Sequence, residues 1–147
     1  MPDRPHILFV QLYSNGDCLF ATAVARQIKA DQPQCHLTWA VAPNCQSILQ
    51  GNPYIDAIRL VNEVPRDDVA AFRRFRSKLM QEKAAGEWMD VIITHNMDRN
   101  LAYYDGTIRG MLLRAYGKPM TVPLQPVLYL TEAEQKRVND FASRYRL

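Results

Sequence analysis

The run Ile7-Leu8-Phe9-Val10, followed by Ser14-Asn15-Gly16-Asp17 and then by Cys18-Leu19-Phe20-Ala21-Thr22-Ala23-Val24, constrains this chain more than any other stretch. An unbroken apolar run bounded by turn residues reads as a strand buried on both faces, as in a parallel sheet. The stretch therefore reads as strand, tight glycine turn and helix. In open parallel sheets ligands gather at the carboxyl ends of the strands. Asp17 sits at that end, where the helix begins. A carboxylate there can be an N-cap, a catalytic base, or both.

The alternation continues along the chain and predicts a βαβ sheet domain. Strand one covers about residues 6 to 12, and helix one about 17 to 31, stopping before Pro33. Strand two runs from Cys35 to Val41. A short helix over about 44 to 50 follows Pro43, and Gly51-Asn52-Pro53-Tyr54 is a turn. Strand three spans about 57 to 61. Helix three spans about 67 to 84, with Asp67 and Asp68 at its start. Val69, Phe72, Phe75 and Leu79 form its inner face, and Gly86 ends it. Strand four, residues 89 to 94, carries Val91-Ile92-Ile93. A helix covers about 101 to 116 and ends at Gly117. A loop with Pro119, Pro123 and Pro126 brackets a short extended piece. Thr131-Glu132-Ala133-Glu134 is a capping box that starts the last helix. That helix places Val138, Phe141, Ala142 and Tyr145 on one side. It reaches Leu147 with no glycine or proline to stop it, so the reading is a chain cut between domains, the alternative being a natural end that lacks a cap. The expected fold class is α/β, a Rossmann-like parallel sheet with helices on both faces and strand order 3-2-1-4-5.

Composition closes off several classes. The 147 residues are about one domain, and 48% are apolar, enough for a core. The net charge of +3 comes without an arginine-rich tail, so nucleic acid is not an expected partner. No apolar run approaches the roughly 20 residues of a membrane helix. The amino terminus lacks a signal-peptide layout, and cytoplasm is the expected compartment. Cys18, Cys35 and Cys45 match no zinc or redox spacing and read as small buried residues of a reducing compartment. No metal site is expected, since His95 and Asp98 lack a third ligand. Ser14-Asn15-Gly16-Asp17 is neither a dinucleotide fingerprint nor a P-loop, and there is no serine nucleophile elbow.

Gly16 reads as a residue with positive φ that also lets a ligand approach the helix N-terminus. Ser14 and Asn15 can bond a substrate hydroxyl or only stabilise the turn. His95, Asn96, Asp98 and Arg99 follow strand four on the same sheet edge as Asp17. They can line a shared pocket or form an ordinary polar loop. Arg73, Arg74, Arg76, Lys78 and Lys83 make helix three basic, either as a solvated face or as a contact for an anionic ligand.

Two ordered motifs then carry a family resemblance. One is Ser14-Asn15-Gly16-Asp17 between strand and helix. The other is Leu37-Thr38-Trp39-Ala40-Val41-Ala42-Pro43, followed by Leu49-Gln50-Gly51-Asn52-Pro53-Tyr54-Ile55-Asp56. Over about residues 6 to 62 the chain resembles the amino-terminal domain of the heptosyltransferases, glycosyltransferase family 9. The likeness weakens from residue 63. After strand four the family's Asp-x-Gln-Gly is replaced by Thr94-His95-Asn96-Met97, with Asn96 in the glutamine's place.

The resemblance implies one half of a GT-B enzyme, with residues 1 to 130 as the acceptor-binding domain and 131 to 147 as a helix leading to a second domain. That second domain would bind the nucleotide-sugar donor, leaving no cofactor here. Asp17 would be the catalytic base of an inverting transfer. Ser14, Asn15, Gly16, His95, Asn96, Asp98 and Arg99 would bind the acceptor. That acceptor would be a saccharide or glycolipid of lipopolysaccharide biosynthesis, met at the inner face of the membrane. The competing expectation is a non-catalytic Rossmann-like or flavodoxin-like binding module in which Asp17 is only a cap.

Overall fold

A computed structural model describes residues 4–147. Strand β1 (His6–Val10) leads into helix α1 (Asn15–Asp31), then β2 (His36–Val41) and a 3₁₀ turn over Pro43–Leu49. Strand β3 (Ala57–Leu60), helix α2 (Val69–Ala84) and β4 (Asp90–Ile93) follow. A second 3₁₀ turn covers Asp98–Tyr103, and helices α3 (Ile108–Ala115) and α4 (Glu132–Tyr145) complete the chain. The strands form one parallel sheet in the order β3-β2-β1-β4.

Alternation along the strands divides the core between two faces. Ile7, Phe9, Leu37, Trp39 and Val41 pack with Cys18, Ala21, Val24, Ala25 and Ile28 of α1. Leu8, Val10 and Ala40 pack with Ala71, Phe72, Phe75 and Leu79 of α2 on the other side. The expected α/β class with helices on both faces is therefore the observed one. All three cysteines are free and buried.

The differences have local causes. No fifth strand forms among the described residues. The segment after α3 is instead strapped to α1: the amides of Thr121 and Val122 donate to Gln27 Oε1 at 2.7 and 3.1 Å, and Arg26 Nη1 donates to Pro123 O at 2.8 Å. Its prolines lack the N–H groups that a ladder requires. The helix expected over 101 to 116 is broken where Gly106 takes φ +109°. Thr107 then caps α3, its Oγ1 accepting from the Gly110 amide at 3.2 Å. On α2, Val69 is exposed and Ala71 takes its place in the core.

Asp68, not Asp67, is the N-cap of α2, accepting from the Ala71 amide at 2.8 Å. Asp68→Ala should therefore lower stability by about 1 kcal/mol in urea denaturation, while Asp68→Asn should stay close to wild type.

The capping box of α4 forms as expected, with Thr131 Oγ1 accepting from the Glu134 amide at 3.2 Å and Glu134 Oε2 accepting from the Thr131 amide at 2.8 Å. The helix turns off at Arg146, in the left-handed region at φ +54°. None of its residues is buried, and Phe141 and Tyr145 are 56% and 57% exposed.

Candidate functional site

Register places the site. Val10 pairs with Ile93 across the parallel β1–β4 ladder, so the segments leaving both strands emerge side by side. One enters α1 through Ser14. The other turns through His95 and Asn96. They meet where Asn96 Nδ2 donates to Asp17 Oδ2 at 3.3 Å. Tyr13, Ser14, Asp17, Arg66, Asp67, His95, Asn96 and Met97 line a pocket of about 80 Å³ at this edge. That is small beside the roughly 300–1,000 Å³ of a typical ligand pocket. It has room for the polar edge of a ligand, with the rest lying outside.

Ser14 is the N-cap of α1 and Asp17 the third helical residue, so Asp17 is not itself the cap. The Ser14 amide donates to Asp17 Oδ2 at 3.5 Å, the carboxylate arm of a loosely closed capping box. Both recorded bonds to Asp17 end on Oδ2, and among the described residues none reaches Oδ1. Burial pushes the Asp17 carboxyl above its ordinary value, against the Ser14 amide, the Ser14 side chain and the Arg66 charge, which pull it down. A carboxylate raised in this way is a stronger base than an exposed one.

Gly16 lies within the first helical turn and does not have the positive φ expected of it. A Cβ there would meet nothing within 4 Å, so the helix start is open to approach. Asn15 is exposed beside it and does not line the pocket.

Asp98 does not join Asp17. It accepts from Arg73 Nε at 3.0 Å and from Arg76 Nη1 at 2.7 Å. The Arg73 guanidinium, with Arg76 beyond it, holds the Asp98 carboxyl below its usual range. Arg73 and Arg76 are one turn apart on α2 and so present one face to the same carboxylate. Arg99 lines a different cavity of about 460 Å³, between α2 and β4, together with Phe72, Arg76, Met80 and Tyr103. Lys83 is held by Asp90 at 2.7 Å, so three of the basic residues of α2 already have carboxylate partners.

The residues that hold the loop in place carried no motif. Gln11, fully buried, accepts from Thr94 Oγ1 at 3.0 Å, and its amide donates to Tyr13 O. Asn100 Nδ2 donates to Ile93 O and His95 O, both at 2.9 Å, and so ties the turn after β4. The Tyr13 hydroxyl donates to Val64 O at 3.0 Å. The available signal was polarity out of place: Gln11 interrupts the apolar sequence from Ile7 to Leu12.

His95 is 2% exposed and packs against Phe72, ring centroids 5.1 Å apart. Burial lowers its pKa from 6.5 to about 4, and the Asp67 charge, acting the other way, does not offset this. The folded chain thus refuses a proton that the unfolded chain accepts below about pH 6.5. The stability this represents is complete above pH 6.5 and is lost as pH falls toward 4. Over that window His95 should remove about 3 kcal/mol. Urea midpoints between pH 7 and 4.5 should fall less in His95→Phe than in wild type. Equal slopes would contradict a buried neutral imidazole.

Among the described residues no group of three or more His, Cys, Asp or Glu converges as a metal site. No helix among them is long and apolar enough to cross a membrane.

The chain superimposes over its full length on the crystal structure of a glycosyl transferase family 9 protein from Veillonella parvula DSM 2008, with a TM-score of 0.64 and 16% identity. The chain shares its α/β fold with part of that glycosyl transferase family 9 structure. The likeness carried by the two sequence motifs is thus matched by a likeness in fold. The chain spans 52% of that structure's length. No family model matches the sequence, and no curated protein matches it significantly.

Proposed function

We propose that this chain is the acceptor-binding half of an inverting nucleotide-sugar glycosyltransferase, with Asp17 as the general base. The observation that carries the reading is the half-buried Asp17 carboxylate in a pocket at the carboxyl edge of the sheet, with Oδ1 unengaged by any described residue. The acceptor hydroxyl oxygen attacks the anomeric carbon of the donor. The bond from that carbon to the diphosphate oxygen breaks, and the nucleoside diphosphate leaves with the electron pair. Asp17 takes the hydroxyl proton. Asn96 and the Ser14 amide hold Oδ2, which leaves Oδ1 for the proton.

The donor then belongs to a second domain, and the last helix leads toward it. The motif resemblance extends the reading to a glycolipid acceptor of lipopolysaccharide assembly, met at the cytoplasmic face of the membrane. The basic face of α2 supports an anionic acceptor only through Arg74 and Lys78, since Arg73, Arg76 and Lys83 face carboxylates.

This division of labour has a direct test. Residues 1–147 alone should fold, because each face of the sheet is covered by its own helices. In calorimetry they should not bind nucleotide sugars. Robust binding of a nucleotide sugar to this chain alone would contradict the assignment.

A further inference from the structure

The hydrogen-bond inventory around His95 fixes more than its burial. Gln11 presents its Oε1 to Thr94 Oγ1 at 3.0 Å and its Nε2 to the Tyr13 carbonyl. A carbonyl only accepts, so the atom facing Tyr13 O must be the amide nitrogen, and the orientation of Gln11 is settled. The same Nε2 lies 3.4 Å from His95 Nδ1. Facing a donor, Nδ1 is the acceptor of the neutral ring, and the proton is on Nε2. That Nε2–H is buried and has no partner among the described residues. A buried unmade donor of this kind is uncommon and calls for an explanation. His95 is one of the residues that line the pocket of Asp17 and Asn96, and its Nε2 is closed to solvent, so a ligand oxygen reaches it only as the lining side chains move aside.

We propose that His95 is a specificity-determining residue of this pocket, its Nε2–H donating to a ring or hydroxyl oxygen adjacent to the hydroxyl whose proton Asp17 accepts. The inference rests on the acceptor-site reading of that pocket and names what it selects: an uncharged polyol edge with an oxygen acceptor next to the reactive hydroxyl. A neutral imidazole supplies one directed donor and no charge. It therefore brings no positive charge to offset the Asp17 carboxylate against an anionic ligand, and it discriminates against an analogue in which the neighbouring oxygen is missing. Such a donor favours the compound that carries the oxygen, because the deoxy compound leaves the N–H as unpaired as it is without ligand and forgoes the hydrogen bond. Gln11 and Thr94 act as positioning residues that hold the ring in the required tautomer.

The test uses the whole 147-residue chain with labelled histidine, read by nitrogen–proton correlation spectra. Without ligand, His95 should show the Nε2–H tautomer. The probes are methyl hexopyranosides and methyl heptopyranosides at tens of millimolar, with the corresponding deoxy sugars. A glycoside that binds should move the Asn96 side-chain amide and the His95 Nε2–H together. Its deoxy analogue lacking the neighbouring oxygen should bind about 3- to 10-fold more weakly. His95→Phe should lose the same factor and should no longer distinguish the two sugars.

The wild-type spectra decide the matter even where the variant fails to fold. A glycoside that moves Asn96 and leaves His95 Nε2–H unmoved overturns this inference while the acceptor-site reading stands. The Nδ1–H tautomer overturns it as well. If no glycoside moves either group, both the inference and the reading fall.

Discussion

Trp39→Ala should lower the stability of this chain by about 3–5 kcal/mol, the scale for deleting a large buried aromatic side chain. Trp39 is fully buried in β2, one of the two central strands, with its ring edge-on to Phe9 at a centroid distance of 4.4 Å. Its Nε1–H donates to Gln11 O at 3.0 Å. Removing the indole opens a cavity between the sheet and α1. It also takes the indole donor from a buried carbonyl whose other side-chain contact is the weak donor Cys18 Sγ, at 3.6 Å. Domains of this size have on the order of 5–15 kcal/mol in all, so the variant should lose about a fifth or more of its margin. Trp39→Phe keeps most of the apolar volume and should lose clearly less. Urea denaturation followed by circular dichroism measures both. A loss below about 1 kcal/mol for Trp39→Ala would contradict the packing described.

Trp39 also illustrates what was legible in the sequence. It lies in β2, which with β1 is buried along almost its whole length at the centre of the sheet, and such strands read as short apolar runs bounded by turn residues. Helix starts were legible where the cap is chemical, as at Thr131 and Asp68. The fifth strand was not, because an extended segment with three prolines can be strand or strap. The choice fell to Gln27, which lies far away in sequence. Val69 was misplaced by a shift along the helix face that only packing decides.

The site divides in the same way. That Asp17 and Asn96 would meet follows from adjacent parallel strands ending at one edge. That Asp98 would turn away does not, because it depends on Arg73 and Arg76 arriving from another element. The expected positive φ at Gly16 failed because the helix begins two residues earlier than the pattern placed it, at Asn15. Gln11 and Asn100 were invisible as motifs. They matter only because buried carbonyls and ring nitrogens need partners, and which of these groups are buried together is decided by the fold.

The larger effect on function should come from Asp17→Asn. In a two-domain protein that joins this half to its donor domain, the substitution should reduce turnover roughly 100-fold or more, the usual scale of general base catalysis. Asparagine keeps the size of the side chain and an oxygen that can accept from the Ser14 amide, so the start of α1 should survive. It loses the basic oxygen. Stability and acceptor affinity should therefore change little. Asp17→Ala removes both properties, and its cost in stability should be about 1 kcal/mol or less, since the capping bond is long at 3.5 Å.

The competing account, in which Asp17 only closes the capping box of a binding module, makes the opposite forecast. There the asparagine variant behaves as wild type, and alanine differs only in stability.

The two accounts separate in one comparison: turnover of wild type and Asp17→Asn in the same two-domain protein, at saturating acceptor. A fall of about 100-fold with the melting temperature unchanged is the result expected for a catalytic base at the edge of this sheet. Near-normal turnover in the asparagine variant would contradict it.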